Sequence, residues 1–349
     1  KPSLKKLTSY LAEVNDRGWY TNFGPLHQKL TAKLEEYLEV ENLLLVSNGT
    51  IALHIAYRAL GISNAISTPF SYVATSSSLA WEQIPFTFAD IDNRSLNLCP
   101  KKVADKLDIN TNIDSIIATH VYGNPCDLEY FEKLKNKYKI KLIYDGAHAF
   151  NVRYGSESVL KYGDATTLSF HATKLFHTIE GGAIVFKDQK KLKRAREIIN
   201  FSQDTDGKIN GVGINAKLNE YQCAVGLTLL EVMSEVIEHR VDLFNLYWKN
   251  LKDCVQLPRW NQSASLNGAY FPIILKNEES RNRIKMALLN AEIPSREYFA
   301  PSLNTIFKPE ESCPVSESIS SRVLCLPLHF SLTKKDLAYI CEILKNNLL

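Results

Sequence analysis

The sequence predicts an α/β fold with a mostly parallel sheet, helices on both of its faces and a smaller α+β C-terminal domain. From about residue 43 to residue 186, short apolar runs alternate with helical patterns, which is typical of a parallel sheet with crossover helices. The chain has 349 residues, 45% of them hydrophobic, so it can bury a core large enough for two domains. We expect a large domain over residues 1–235 and a small domain over residues 236–349.

Each element has its own signal in the sequence. The strands are predicted from short apolar runs between polar or glycine-containing turns: Leu43–Val46, Ala65–Thr68, Phe86–Ile91, Ser115–Val121, Leu142–Asp145, Thr166–Phe170, Ala183–Phe186, Phe271–Leu275 and Val323–Leu326. The helices are predicted from apolar residues at helical spacing: the segment from the turn after Val46 to Gly61, then Asp127–Tyr138, Leu218 to about Leu251, Ser280–Ala291 and Lys334–Lys345. The polar segment 202–213 is too long for a core turn, so we predict a mobile linker or a functional loop.

The composition argues against several classes of protein. The net charge of +3 is too small to indicate a nucleic-acid partner, and no apolar run approaches the length of a membrane span. The seven cysteines form no C-x-x-C pair, which favours reduced thiols and a cytoplasmic location. His171 and His177 are not expected to bind a metal, because no carboxylate or cysteine completes the ligand spacing.

Lys174 is the first candidate for a chemical role. It lies between two predicted strands, and the pair Gly181-Gly182 precedes the second of them. A lysine that is held rigidly and partly out of water has a lowered ammonium pKa, so it can attack a carbonyl and hold it as a Schiff base. The alternative is an ordinary surface lysine in a loop. Other strand ends of the chain favour the chemical interpretation.

Three of those strand ends carry polar or aromatic residues. Asp145 ends a predicted buried strand, where ligands meet a parallel sheet, and it either contacts a cofactor or caps the next segment. Gly49 and Thr50 open a predicted helix, whose free N–H groups either bind a phosphate or are simply capped. Tyr72 is expected in the first turn of a helix, where its ring either covers a cofactor or belongs to the core.

In this order, the motifs resemble those of the DegT/StrS family of sugar aminotransferases, which are pyridoxal-phosphate enzymes of the type I aspartate-aminotransferase fold. The matching segments extend over nearly the whole chain: residues 48–53, 68–75, 88–92, 120–125, 145–149, 169–174, 180–182 and 213–220. The resemblance implies that Lys174 holds pyridoxal 5'-phosphate as a Schiff base and that Asp145 pairs with the pyridine nitrogen.

The resemblance also implies the other contacts of the cofactor. Gly49, Thr50 and Ser169 are expected to hold its phosphate, and Tyr72 is expected to stack on its ring. His148 belongs to the same motif as Asp145 and is expected to contact the cofactor too. Asn215 is expected to reach the phosphate in the neighbouring subunit, which implies a homodimer with shared active sites. These are the predicted cofactor-binding residues.

The chain differs from the usual family pattern at three places. Gly146 stands where an alanine is frequent, a small change that leaves the chemistry intact. Lys217 stands where an arginine is frequent, so a bidentate contact is not expected there. The sequence starts at Lys1 without a methionine, and we expect that further residues precede it.

These observations predict an aminotransferase that moves an amino group from L-glutamate to a nucleotide-linked keto sugar. Lys174 is expected to release the cofactor to the amino donor and then to act as general acid and base. A sugar dehydratase of the same fold is the first alternative, but such relatives carry histidine in place of the Schiff-base lysine. A cofactor-binding regulator without turnover is the second, and glutamate-dependent amino transfer distinguishes it from an enzyme.

Two segments are expected to set the substrate. Residues 17–25 contain Tyr20 and Phe23, and residues 294–304 contain Tyr298; the alternative role of these aromatic side chains is packing. Both segments are similar to those of aminotransferases that aminate dTDP-4-keto-6-deoxyglucose at C4, which gives dTDP-4-amino-4,6-dideoxyglucose, a precursor of O-antigen and other bacterial surface polysaccharide. Amination at C3 of an isomeric 3-keto sugar is the close alternative.

Overall fold

The computed structural model describes residues 2–348. The helices are α1 (Leu4–Arg17), α2 (Pro25–Leu38), α3 (Gly49–Leu60), α4 (Ala74–Trp81), α5 (Pro100–Ile109), α6 (Leu128–Tyr138), α7 (Gln189–Ile198), α8 (Glu220–Leu230), α9 (Met233–Leu251), α10 (Glu278–Asn290), α11 (Asn304–Phe307), α12 (Pro314–Arg322) and α13 (Lys334–Asn346). The strands are β1 (Leu43–Val46), β2 (Ala65–Ser67), β3 (Phe86–Phe88), β4 (Ser115–Thr119), β5 (Lys141–Asp145), β6 (Arg153–Tyr154), β7 (Glu157–Ser158), β8 (Ala165–Ser169), β9 (Gly182–Phe186), β10 (Phe271–Ile274) and β11 (Val323–Leu326).

A seven-stranded sheet organises the first part of the chain, with the strand order β1-β9-β8-β5-β4-β2-β3. The pairs from β3 through β2, β4 and β5 to β8 are all parallel. The exception is β9, which is antiparallel to both β8 and β1. The predicted mostly parallel sheet is therefore confirmed. Because β9 runs back beside β8, the connection that carries Lys174 turns at the carboxyl end of β8.

Helices cover both faces of this sheet, as predicted. Successive side chains of a strand point to opposite faces, so a strand covered on both faces contributes to two cores. Leu45 and Leu142 belong to the buried cluster that includes α2, α6 and α8. Leu44 and Ile143 belong to the buried cluster on the other face, which includes α3. Burial on both faces explains why these strands are continuous apolar runs without alternation.

The last third of the chain forms a smaller α+β unit. Here β10 pairs with β11 in antiparallel fashion, and side chains from α9, α10 and α13 complete a separate buried cluster. A further cluster joins this unit to the large one through contacts such as that of Phe299 with Phe70. The proposed boundary after residue 235 stays a prediction, and α9 extends across it. No helix within residues 2–348 is both long and apolar enough to cross a membrane.

One predicted element is wrong, and several are shorter than expected. The single helix predicted from Leu218 to Leu251 is two helices, because the backbone leaves the helical region at Val232 (φ −110°, ψ 5°). Apolar residues continue through this break, so their spacing alone does not reveal it. The strands at Phe86 and Ser115 end at Phe88 and Thr119. Segment 202–213 is a largely exposed loop.

Candidate active site

A cavity of about 500 Å³ lies at the carboxyl ends of the parallel strands. The connection between β8 and β9 forms one wall, the start of α3 forms another, and residues from the small unit close a third. Most of the predicted site residues line this cavity: Gly49, Thr50, Tyr72, Asp145, His148, Ser169, Lys174 and Tyr298. The structure thus brings together residues that are up to 249 positions apart in the sequence, from Gly49 to Tyr298.

Lys174 occupies a tight turn after β8, where its backbone N–H donates to the carbonyl of His171 at 2.9 Å. Its side chain is half-buried, and Nζ lies 6.0 Å from the centre of the Tyr270 ring. Burial lowers the pKa of Lys174, and the nearby Asp145 carboxylate only partly opposes this effect. The amine is therefore neutral, and so nucleophilic, more often than that of a surface lysine.

Asp145 is buried at the end of β5 and is held from two sides. Its Oδ2 accepts a hydrogen bond from Thr75 Oγ1 at 2.7 Å, and its Oδ1 accepts one from the backbone N–H of Ala147 at 3.1 Å. The next residue is glycine for a local reason, because a Cβ on Gly146 would lie 2.8 Å from the Thr166 methyl group. The carboxylate therefore has a fixed orientation at the cavity wall.

The start of α3 has the properties of a phosphate site. The side chain of Asn48 caps the helix by accepting from the N–H of Ile51 at 2.8 Å, while the amides of Gly49 and Thr50 lack an intrahelical acceptor because they open the helix. Gly49 lies so close to β8 that a Cβ there would be 2.7 Å from Cβ of Ser169. Only glycine fits at this close approach. The amides of Gly49 and Thr50 and the hydroxyl of Ser169 therefore lie together at one end of the cavity.

His148 is buried in a stack of aromatic rings. Its ring is parallel to that of Phe299, with 5.6 Å between the ring centres. Its Nδ1 accepts a hydrogen bond from the backbone N–H of Tyr122 at 3.1 Å. Burial and the charge of Lys174 hold the pKa of His148 well below its usual range. The imidazole is therefore neutral at pH 7 with its hydrogen on Nε2, which makes that atom a donor.

Tyr72 and Tyr298 face the cavity from opposite units. Tyr72 is 55% exposed and precedes α4, so its predicted place in the first helical turn is wrong: the helix begins at Ala74. The ring of Tyr298 meets that of Tyr270 edge-on, with 5.7 Å between centres. Both tyrosines leave ring surface available to a bound molecule.

Three predicted residues lie outside the cavity of this chain. Asn215 is exposed beyond the 202–213 loop, in a β-bridge with Asn200. Tyr20 is half-exposed and contacts the ring of Tyr221. Phe23 packs against the ring of His27 and the core on the α3 face. Their roles at an active site stay predictions.

Sequence reasoning did not single out several residues that form the site. Thr75 holds Asp145, although the sequence suggests only a small polar residue near a helix start. Tyr270, Arg296 and Phe299 line the cavity from the small unit. All three lie about 100 residues or more beyond Lys174. Arg296 and Phe299 fall within segment 294–304, which is predicted to set the substrate, whereas no local pattern points to Tyr270. The aromatic run around Tyr298 was the only available signal.

The residues present fit a phosphorylated aldehyde cofactor with an aromatic ring. Uncapped amides at the start of a helix suit a phosphate, and a desolvated lysine suits an aldehyde. A fixed carboxylate in the same cavity suits a protonated ring nitrogen. Residues 2–348 contain no cluster of three or more side chains suited to a metal ion.

Comparisons with known proteins agree with this chemistry. The sequence profile of the DegT/DnrJ/EryC1/StrS aminotransferase family matches residues 3–345. A "dTDP-4-amino-4,6-dideoxy-D-glucose transaminase" of Shigella dysenteriae is 38% identical, with 99% of this chain and 96% of the relative covered. A protein of the same name in Escherichia coli is 32% identical, with 98% and 95% covered. The fold matches a crystal structure of DesI "in the presence of its TDP-sugar product" with a TM-score of 0.93 and 26% identity, covering 99% of this chain and 90% of that one.

Proposed function

The chain belongs to the DegT/DnrJ/EryC1/StrS aminotransferase family, and we propose that it transfers an amino group to C4 of dTDP-4-keto-6-deoxyglucose. The product is dTDP-4-amino-4,6-dideoxyglucose. The observation that carries this assignment is the 38% identity, over 99% of this chain, to a transaminase named for that amino sugar. The retained Lys174 at the cavity wall supports transamination rather than dehydration.

The proposed cofactor is pyridoxal 5'-phosphate, which supplies an aldehyde and an electron sink when bound. We assign its phosphate to the amides of Gly49 and Thr50 and to the hydroxyl of Ser169. Asp145 is assigned to the ring nitrogen, because it is a fixed acceptor-only group in a buried setting. The support for this phosphate assignment is the close approach of Gly49 to Ser169 and the free amides of Gly49 and Thr50 at the start of α3.

Two further residues complete the proposed cofactor site. His148 is assigned to a polar substituent of the ring, to which its Nε2–H can donate. Tyr72 is assigned to stack on the exposed face of the cofactor ring. Asn215 is assigned to the phosphate in a partner subunit, since it is exposed and outside the cavity of its own chain.

Lys174 has two proposed tasks. As a neutral amine it attaches the aldehyde, and its lowered pKa favours that state. Once the amino donor has displaced it, its Nζ would remove the proton from the donor's α carbon as a general base and then, as a general acid, deliver that proton to the aldehyde-derived carbon of the cofactor. In the second half-reaction, the same atom moves a proton in reverse order onto the sugar carbon.

Both proposed substrates are anionic, and the cavity contains a matching cation. Arg296 lines the cavity and is exposed, and it forms no ion pair within residues 2–348. L-Glutamate as the donor and a dTDP-sugar as the acceptor both present negative groups to it. Tyr298 is assigned to the sugar, whereas Tyr20 and Phe23 are assigned to substrate contacts that one chain alone does not complete.

We further propose a homodimer that works in the cytoplasm and supplies bacterial surface polysaccharide such as O-antigen. The proposal of shared sites rests on the resemblance at Asn215, which is exposed and lies outside the cavity of its own chain. Support for a reducing compartment comes from the seven cysteines, none of which is in a disulfide.

Substrate feeding tests the proposed function. The enzyme is given the 4-keto and the 3-keto dTDP-sugar separately with glutamate, and the aminated carbon is assigned by NMR. We expect amination of the 4-keto sugar at C4, and none in a Lys174→Ala control. Amination of the 3-keto sugar alone would replace the C4 assignment by C3. Cofactor binding without any turnover would indicate a regulator.

A further inference from the structure

A chain of three buried hydroxyl groups ends on the carboxylate of Asp145. Thr119 Oγ1 donates to Ser71 Oγ at 3.0 Å. Ser71 Oγ lies 2.8 Å from Thr75 Oγ1. Thr75 Oγ1 in turn donates to Asp145 Oδ2 at 2.7 Å. The four residues come from the end of β4, the turn after β2, the first turn of α4 and the end of β5, so only the folded sheet edge brings them together.

The direction of the chain follows from the number of hydrogens. A hydroxyl group has one hydrogen and two acceptor lone pairs. The hydrogen of Thr75 is used on Asp145, so in its contact with Ser71 the threonine accepts and the serine donates. The hydrogen of Ser71 is then used as well, so Ser71 accepts from Thr119. All three O–H groups therefore point towards the carboxylate.

Burial increases the effect that these three hydroxyl groups have on Asp145. Ser71, Thr75 and Thr119 are each at most 3% exposed, so water does not replace a missing donor easily. Hydrogen bonds in a chain polarise one another, and bonds to a charged acceptor are stronger than those between neutral groups. The hydroxyl chain therefore fixes the carboxylate in one rotamer.

We propose that Ser71, Thr75 and Thr119 are positioning residues that hold Asp145 as a pure acceptor for the ring N–H of the cofactor. This inference rests on the proposed function, because it assumes that Asp145 faces a ring nitrogen. Thr75 acts directly on the carboxylate, whereas Ser71 acts through Thr75, and Thr119 acts through Ser71 and Thr75. Their effects should decrease in that order.

Isosteric removal of the hydroxyl tests the proposal. In Thr75→Val the dissociation constant of pyridoxal phosphate should rise about ten-fold or more, since a hydrogen bond to a charged group is lost. The visible circular-dichroism band of the bound cofactor should weaken, because a carboxylate held only by the N–H of Ala147 orients the ring less well. Thr75→Ser, which keeps the hydroxyl, should restore both. Ser71→Ala should give a smaller effect of the same kind.

The neighbouring Ser76 provides the matched control. It is fully buried on the same helix, and its hydroxyl forms no hydrogen bond within residues 2–348. Ser76→Ala should leave the dissociation constant and the dichroism unchanged. Urea unfolding of each apoprotein separates a folding defect from a positioning defect.

Two results would overturn the inference in different ways. If Thr75→Val and Ser71→Ala bind the cofactor like Ser76→Ala, the hydroxyl chain does not position Asp145, while the proposed function stands. If the wild-type protein binds no pyridoxal phosphate, the proposed function fails, and the role proposed for the three hydroxyl groups fails with it.

Discussion

Gly49→Ala is the substitution that tests the proposed phosphate site most sharply. The added Cβ would lie 2.7 Å from Cβ of Ser169 and 3.1 Å from its Cα. Carbon atoms in favourable contact are about 3.5–4.0 Å apart, so the start of α3 and the end of β8 must separate by roughly 1 Å. The atom that must move is anchored to the backbone of a central strand, so the shift is not a simple side-chain rotation.

Two effects follow from that shift. The free energy of unfolding should fall by about 1–3 kcal/mol, which is the usual cost of overpacking a buried site. The dissociation constant of pyridoxal phosphate should rise at least about ten-fold, because a separation of 1 Å is enough to break charge-assisted hydrogen bonds from one side of the site. Urea unfolding of the apoprotein measures the first effect, and a spectroscopic titration measures the second.

Gly61→Ala is the control at the other end of the same helix. Gly61 has a left-handed backbone (φ 72°), and nothing lies within 4 Å of a Cβ built there. Alanine should cost about 1–2 kcal/mol of stability through the backbone alone, with no change in cofactor affinity. Wild-type affinity in Gly49→Ala would refute the assignment of the phosphate to this end of the cavity.

Three further predictions concern the other groups. Lys174→Ala should lose the visible band of the covalently bound cofactor, whereas Asp145→Ala should keep the aldehyde bound but turn over poorly; a borohydride-reducible adduct in the Lys174 variant would contradict the covalent role. Mixing inactive Lys174 and Asn215 variants should restore some activity, since one site of a mixed dimer has both intact residues; no recovery in verified heterodimers would count against shared sites. Burial lowers the pKa of His27 from 6.5 to about 4, so the folded state resists protonation of this residue. The neutral imidazole therefore stabilises the folded state fully above pH 6.5, and this stabilisation, about 3 kcal/mol in total, is lost as the pH falls towards 4. Between pH 7 and pH 4.5, the free energy of unfolding, measured with urea, should fall less in His27→Gln than in the wild type. An equal fall in both proteins would rule out His27 as the source.

The sequence predicts the strands well where every residue of the strand is buried. The runs Leu43–Val46 and Val323–Leu326 have the predicted bounds, since each is uniformly apolar between clear turns. The antiparallel direction of β9 was not predictable, because strand direction leaves no trace in composition. The break at Val232 was missed for a similar reason, as apolar residues continue through it.

The site was predictable where a motif is local, and less so where the fold assembles it. Lys174, Asp145 and Gly49 each stand at a strand end, so the topology alone places them at one edge. Ser71 and Thr119 are small hydroxyl residues without a distinctive sequence setting, and their importance depends on contacts across four elements. The small unit contributes Tyr270 to the cavity, and no sequence pattern near Tyr270 predicts this position.

The central claim is that one cavity carries out both halves of an amino transfer, and a divided single-turnover experiment tests it directly. The cofactor-loaded enzyme is treated with glutamate, freed of small molecules and then given dTDP-4-keto-6-deoxyglucose without any donor. We predict one equivalent of 2-oxoglutarate per site in the first step and one equivalent of the 4-amino sugar in the second. Failure to release the keto acid, or to aminate the sugar after the donor is removed, would contradict the account.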